Sequence, residues 1–309
     1  MFFLAVRPTI VAAFRPFRLS AAELDDYVKR SARDTIEVTY LLSLPKNKLL
    51  QMPSLDTILK RLTNREITHD EAERIIRREL KIDEYTRVAD IAKLDTARMH
   101  RVGIPEVVLA EGKTTEDLLA IVEAQLKAEG RTVLTRVSEH QLQALQRFDI
   151  EWHDRARVAV IGKKPHFQRR CGLVGVVCAG TADISVAEEA RVVAEEFGCK
   201  TIKSYDVGVA GIHRLYPELQ KLLDADVLVV LAGREGALPT VIAGLTDIPV
   251  IGVPVSTGYG FGGRGEAALL AMLQSCSVLA VVNVDAGFVA GAFAAKIANR
   301  AAYSRELDR

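Results

Sequence analysis

The sequence predicts an α/β protein: a doubly wound parallel sheet in the C-terminal half, preceded by a smaller α/β lobe and, before that, by helices. Three observations carry this. Five apolar runs (Leu173–Cys178, Thr201–Val207, Val227–Leu231, Pro249–Val253 and Leu279–Val284) are separated by stretches of helical periodicity. The runs are nearly continuous rather than alternating, as in strands buried on both faces. Upstream, two more strand-and-helix pairs repeat the pattern on a smaller scale.

Taken in order, residues 1–54 read as an extension, partly disordered or helical. Its first segment carries Arg7, Arg15 and Arg18 and no acidic residue as far as Ala22. The apolar run there is broken by Arg7, Pro8 and Arg15, which makes a poor signal peptide and is too short to span a bilayer. A transit peptide, a disordered extension or a misplaced start all fit the composition.

Residues 55–149 read as a helical segment followed by a small α/β domain. Ser54 can cap a helix carrying Leu55, Ile58, Leu59 and Leu62. Thr68 and Glu71 form a capping box ahead of Ala72, Ile75, Ile76 and Leu80. These helices are expected to pack or to mediate contacts between copies. Next come a strand at Glu106–Ala110, an E-G-K-T loop (Glu111–Thr114), a helix at Thr115–Ala128, a strand at Arg131–Val137 and a helix at Ser138–Phe148. The alternation implies a small parallel-sheet lobe. Residues 150–170 read as a polar connector around the strand-like Arg157–Ile161. Residues 171–302 form the main domain, and 303–309 a tail. The first helix of that domain sets Val186, Ala190, Val193 and Phe197 on one face and Glu188, Glu189, Glu195 and Glu196 elsewhere.

Composition narrows the classes. The chain has 309 residues, 49% hydrophobic and 26% charged, with a net charge of +1. That is ordinary for a globular protein and offers no overall field for nucleic acid or an anionic membrane. No segment reaches a transmembrane length free of charge. Cys171, Cys178, Cys199 and Cys276 include no C-x-x-C pair. This argues against structural zinc or a redox motif, and for a reducing, cytoplasmic compartment.

In open α/β sheets, ligands bind beyond the carboxyl ends of the strands. The first run ends in C-A-G-T-A-D, where Gly180 admits a ligand to the backbone, and Thr181 and Asp183 open a helix suited to phosphate. Asp183 suits equally the N-cap of that helix. The second is followed by D-V-G-V-A-G-I-H-R, with His213 and Arg214. The third ends in A-G-R-E-G-A-L-P, with Glu235 between Gly233 and Gly236. The fourth leads into V-P-V-S-T-G-Y-G-F-G-G-R-G, where Ser256, Gly258, Tyr259 and Gly260 could close over a ligand. The last run is preceded by Q-S-C, containing Cys276, and followed by N-V-D-A-G-F. Any one such turn is common; several at successive strand ends, bearing Asp183, His213 and Glu235, indicate an active site. G-x-G-x-x-G and Walker A patterns are absent from the first turn, so neither hydride transfer nor a common ATPase is indicated.

These turns are similar to the aminoimidazole ribonucleotide carboxylase and mutase (PurE-like) family, in which G-S-x-S-D, S-A-H-R and A-G-x-x-G-x-L-P loops surround the nucleotide. C-A-G-T-A-D, Y-D-V-G-V-A-G-I-H-R, G-R-E-G-A-L-P and L-A-M-L-Q-S-C resemble more closely the LarB family of nickel-pincer cofactor biosynthesis. So does the upstream block L-D-T-A-R-M-H-R-V-G-I-P-E-V-V-L-A-E-G-K-T (Leu94–Thr114), which purine carboxylases lack. The resemblance runs from about Leu55 to Asn299. Thr181 and Ala182 depart from the usual serines, and D-A-G-F replaces D-N-G-F.

The resemblance implies a flavodoxin-like three-layer domain and a pyridinium-3,5-biscarboxylic acid mononucleotide synthase. Such an enzyme converts nicotinic acid adenine dinucleotide, CO2 (or bicarbonate) and water to the dicarboxylated mononucleotide and AMP. It implies Cys276 as the nucleophile that adds to the pyridinium ring, and Asp183 or Glu235 as general base, with His213 nearby. It implies Mg2+, with Asp183 and Glu235 as ligands, no biotin and no nicotinamide redox role. Gly180, Thr181 and Gly258–Gly260 would cradle phosphate, and Arg98, Arg101 and Lys113 would contact phosphate or carboxylate. A purine-pathway carboxylase or mutase and a non-catalytic nucleotide-binding module are the alternatives. A symmetric homo-oligomer is expected, since Ala290–Ala302 is small and apolar and permits close helix approach.

Overall fold

The computed structural model describes residues 53–79, 85–96, 98–162 and 172–307. The described residues fall into two compact units, one before residue 84 and one after it.

In the first unit, α1 (Pro53–Thr63) and α2 (His69–Glu79) pack together, burying Ile58 and Ala72. The capping box forms as expected: the Glu71 carboxylate accepts the Thr68 amide at 2.8 Å and the Glu71 amide donates back to Thr68 Oγ1 at 3.3 Å. Helix α1 starts at Pro53, one residue ahead of the expected cap. Residues 1–52 and Cys171 lie outside the described residues.

The second unit opens with a hairpin, β1 (Thr86–Val88) and β2 (Ala92–Leu94), in a stretch read as helical. A short helix, α3 (Arg98–Val102), follows, then β3 (Val107–Leu109), α4 (Thr115–Glu129), β4 (Arg131–Thr135) and α5 (Glu139–Leu145). Thr114 accepts the Asp117 amide at the start of α4, and Gly130, at φ 71°, ends it. Such ends fix helix length from sequence alone.

The small lobe differs from expectation in two ways. The stretch expected as a connector forms β5 (Ile150–His153) and β6 (Val158–Gly162), an antiparallel pair that extends the lobe to residue 162. Its sheet, ordered β3-β4-β6-β5, is therefore mixed: β3 and β4 are parallel, and β6 runs antiparallel to β4. Buried Val133, Val158 and Val160 on one face pack against Val192 of the next domain.

That domain is the predicted doubly wound sheet. Its five strands are β7 (Leu173–Cys178), β8 (Lys200–Ser204), β9 (Val227–Ala232), β10 (Val250–Pro254) and β11 (Ala280–Val281), ordered β8-β7-β9-β10-β11 and all parallel. This is the flavodoxin-like order. Helices α6 (Ile184–Glu196) and α10 (Gly287–Leu307) cover one face; α7 (Leu215–Leu222), α8 (Ala237–Ala243) and α9 (Glu266–Leu273) cover the other. Every β9 residue is buried, as a central strand requires. The last strand is only a short edge piece, because the chain turns away after Val281 into the loop ending at Asp285.

Helix α10 corrects one expectation and shows where its small residues pack. It runs to Leu307, so the residues expected as a tail from 303 continue the helix. Its small residues are used inside the chain: Ala290, Gly291, Ala294, Ala295 and Ala298 are buried within this domain. A Cβ on Gly291 would lie 2.3 Å from the Ala190 carbonyl oxygen. The small stripe therefore serves close approach to α6 and is not a free face. No helix among the described residues is long and apolar enough to cross a membrane.

Candidate active site

Successive β7 and β9 connections wind in opposite directions, which opens a crevice at the carboxyl ends of these strands. Asp183 stands there. It follows β7 in a turn of 3-10 helix (Thr181–Asp183) and is 4% exposed. It does not cap α6 with its side chain. Instead its carboxylate accepts the Gly180 amide (2.9 Å), the Thr257 hydroxyl (2.9 Å) and the Gly233 amide. One carboxylate thus ties together the loops after β7, β9 and β10. Gly233 is required at this junction: a Cβ there would lie 2.9 Å from Thr257 Oγ1 and 3.4 Å from the Gly258 amide nitrogen. Burial raises the Asp183 pKa above the ordinary carboxylate value, against the three donors that favour its charge; the nearby Asp285 adds to the rise.

Strain marks the same rim. Asp206 (φ 60°), Arg234 (42°), Arg264 (58°) and Asp285 (54°) all hold left-handed backbone without being glycine, and they lie in the loops after β8, β9, β10 and β11 in turn. Such conformations cluster where function over-determines the backbone.

Other expected site residues gather around this rim. Glu235 is exposed in the turn closed by the Gly236 amide on the Gly233 carbonyl at 2.8 Å. His213 is exposed on the 3-10 turn after β8, and Arg214 there pairs with Asp206 at 2.7 Å. Tyr259 is 74% exposed; its hydroxyl accepts from Arg234 at 2.8 Å, and the guanidinium lies 4.7 Å from its ring centre. Gly258 and Gly260 flank it. The Ser256 amide donates to Asp285 Oδ1 at 2.8 Å.

The upstream residues are less concentrated. Lys113 sits in the loop after β3, whose Glu111 pairs with Arg136 at 2.9 Å. Arg98 faces Glu106 at 3.7 Å, which engages its charge within the lobe. Arg101 lies on α3, and its side chain is outside the described residues.

Cys276 is not brought to this rim. It lies between α9 and β11, and so precedes its strand rather than following it. Its neighbour Ser277 approaches Gly244, just after α8 and before β10, which fixes this loop at the amino end of the sheet. The length of a five-residue strand such as β10, about 17 Å, separates it from the Asp183 rim of its own chain. Cys276 is exposed, whereas Cys178 and Cys199 are buried. Burial pushes the Cys178 thiol up to about 12.

Asp183 and Glu235, the expected magnesium ligands, stand in the loops after β7 and β9. Among the described residues no group of three or more His, Cys, Asp or Glu could hold a metal. Both Asp183 oxygens already accept from protein donors.

Three residues that sequence reasoning did not place at the site stand beside it: Arg136, Asp285 and Glu189. Arg136 Nη2 donates to the Asp285 carbonyl at 2.6 Å and its Nε lies 3.9 Å from Glu189 Oε1. Asp285 was visible only as part of a departing motif, and the pairings span up to 149 positions of sequence.

In a flavodoxin-like domain, the carboxyl ends of the strands, where these polar and strained residues gather, are where such sheets bind ligands. Residues 173–307 match the AIR carboxylase family, and residues 85–163 match the LarB/PurE-like N-terminal domain. An uncharacterized protein of Methanocaldococcus jannaschii is 40% identical over 255 residues, 79% of this chain and 97% of that one. An N5-carboxyaminoimidazole ribonucleotide mutase of Pyrococcus horikoshii is 34% identical over 118 residues, 36% of this chain and 63% of the mutase. The corresponding mutase of M. jannaschii is 34% identical over 130 residues, 40% of this chain and 78% of its own length. The chain belongs to the AIR carboxylase family, a family of carboxylase-type enzymes, in the form that carries a LarB/PurE-like N-terminal domain.

Proposed function

We propose that the chain carboxylates the pyridinium ring of nicotinic acid adenine dinucleotide and hydrolyses its phosphoanhydride. The products are pyridinium-3,5-biscarboxylic acid mononucleotide and AMP. The observation that carries this reading is Cys276, exposed where Cys178 and Cys199 are buried. A pyridinium ring is electron-poor and does not attack CO2 by itself. Addition of a thiolate at ring C4 forms an S–C bond and leaves a neutral dihydropyridine with an enamine at C5. C5 bonds to CO2, a carboxylate takes the C5 proton, and the thiolate departs as the ring regains aromaticity. Water then attacks the anhydride phosphorus and AMP leaves. An aminoimidazole ribonucleotide is already an enamine and needs no thiol, so the cysteine discriminates the two substrates.

Asp183, held by three donors, is better suited to organising the loops than to moving a proton. Glu235, exposed on the rim, is the better general base. In this reading the thiol comes from a second copy, because a chain's own Cys276 lies at the opposite end of its sheet. A symmetric homo-oligomer would supply it.

The test is mass spectrometry after incubation with nicotinic acid adenine dinucleotide and bicarbonate, beside aminoimidazole ribonucleotide. A dicarboxylated pyridinium mononucleotide and AMP are expected. Carboxylation of the aminoimidazole alone would replace this reading with the purine one.

A further inference from the structure

Two arginines of β4 and the turn after it reach from the small lobe to the sheet domain, in different ways. One join is a plain anchor: Arg131 of β4 pairs with Glu196 of α6 (Nε to Oε2, 3.0 Å), beside the Val133, Val158, Val160 and Val192 cluster. The other is Arg136, five residues later, and it reaches the loops of the site. Its Nη1 donates to Glu111 Oε2 at 2.9 Å, and its Nη2 to the Asp285 carbonyl at 2.6 Å. The Asp285 amide donates to the Pro254 carbonyl at 2.9 Å, and its Oδ1 accepts the Ser256 amide at 2.8 Å. The next residue, Thr257, donates its hydroxyl to Asp183 Oδ1 at 2.9 Å. A continuous path therefore runs from the lobe to Asp183.

Three features single out this path. Arg136 and Asp285, at the two ends of one hydrogen bond, both hold φ 54°. Strain of this kind persists where its surroundings over-determine it. Below them lies Glu189, its side chain 5% exposed, with Oε1 unbonded and 3.9 Å from the guanidinium. A buried carboxylate oxygen without a donor is costly for the fold. The planar fork of an arginine is also what allows one side chain to hold Glu111 and Asp285 at once.

We propose that Arg136 is a positioning residue: through Asp285 it sets the Ser256–Thr257 turn against Asp183, so that the small lobe shapes the glycine-rich loop of the site. Docking of the lobe is the task of Arg131 and the valine cluster. The placement of the site at this rim rests on the functional reading above, but the loop's dependence on Arg136 does not.

Hydrogen exchange on the full chain separates the two. Arg136→Asn, which tolerates positive φ, is compared with Arg136→Lys and with Arg131→Gln as the docking control. Loss of the charged hydrogen bond is expected to speed exchange of the Ser256 amide about tenfold in Arg136→Asn. Exchange in β4 and β6 stays unchanged. Arg136→Lys restores part of the protection, and Arg131→Gln leaves Ser256 as in the wild type. With nicotinic acid adenine dinucleotide as substrate, KM rises more than kcat falls, and lysine rescues part of it. Wild-type protection of Ser256 in Arg136→Asn, or an equal loss in Arg131→Gln, overturns the proposal. Should Arg136→Asn fail to fold, Glu111→Gln must raise Ser256 exchange by a smaller factor, and no rise refutes it. A wild type inactive on the dinucleotide but with the expected exchange pattern would sink the substrate and leave the positioning role standing.

Discussion

Replacing Glu189 by glutamine should make the protein more stable at alkaline pH and leave it unchanged in acid. The carboxyl is buried on α6, accepts the Phe288 amide, and faces Arg136 at a distance too long for a hydrogen bond. Desolvation outweighs the attraction of Arg136 and, with the charges of Asp285 and Glu111, raises its pKa from 4.5 to about 7. The sign follows from linkage. Below pH 4.5 the group is protonated whether the chain is folded or not. As pH rises toward 7 the unfolded chain releases the proton and the folded chain resists, so stability falls until the folded group ionises. The loss is about 3 kcal/mol over that window. Glutamine imitates the protonated form and avoids it. For a domain of this size the variant's melting temperature should exceed the wild type's by about 5–10 °C at pH 8.5. At pH 5 the two should nearly coincide. Thermal unfolding of both proteins across this range measures the difference, in which all other titrating groups cancel. A gap independent of pH, or a variant less stable at pH 8.5, would show that Glu189 is ionised and held by Arg136, and would refute the reasoning.

Three further outcomes are expected. Gly233→Ala places a Cβ 2.9 Å from Thr257 Oγ1 and should raise KM for the dinucleotide about tenfold by displacing the loop that Asp183 holds; a wild-type KM in steady-state kinetics would contradict this. Gly291→Ala drives a Cβ to 2.3 Å from the Ala190 carbonyl oxygen, backbone against backbone. It should cost about 2 kcal/mol and lower the melting temperature by about 4–8 °C, and an unchanged transition would count against the packing described. Maleimide labelling mapped by mass spectrometry should modify Cys276 in the native protein and Cys178 and Cys199 only on unfolding; labelling of Cys178 at native pH would contradict its burial.

The sheet domain was legible because its strands are buried on both faces. Leu173–Cys178 has the same limits in sequence and structure, and the central run at Val227 extends by one residue, to Ala232. Helix α4 was nearly as plain: expected over Thr115–Ala128, it runs one residue further, to Glu129. Strand direction in the small lobe was not legible. A strand's side-chain pattern records which faces are buried, and says nothing of the partner it pairs with. The hairpin at Thr86–Leu94 was missed because its strands have three residues each, too few for a period. At the site, the glycine-bearing turns were readable one by one, but Arg136, Asp285 and Glu189 meet only through long-range contact. The placement of Cys276 could have been found: a residue before the last strand of a parallel sheet lies at its amino end, away from the turns that follow the strands.

That placement gives the most direct test of the account, which joins the thiol of one copy to the Asp183 rim of another. Asp183→Asn and Cys276→Ala, each expected to be inactive alone, are co-expressed with different tags and purified as mixed assemblies. Formation of the dicarboxylated pyridinium mononucleotide and AMP is then followed by mass spectrometry. Random mixing leaves about a quarter of the sites with both native residues, so about a quarter of wild-type turnover should return. No recovery in verified mixed assemblies would contradict a site shared between copies, and full turnover by Cys276→Ala alone would contradict covalent catalysis.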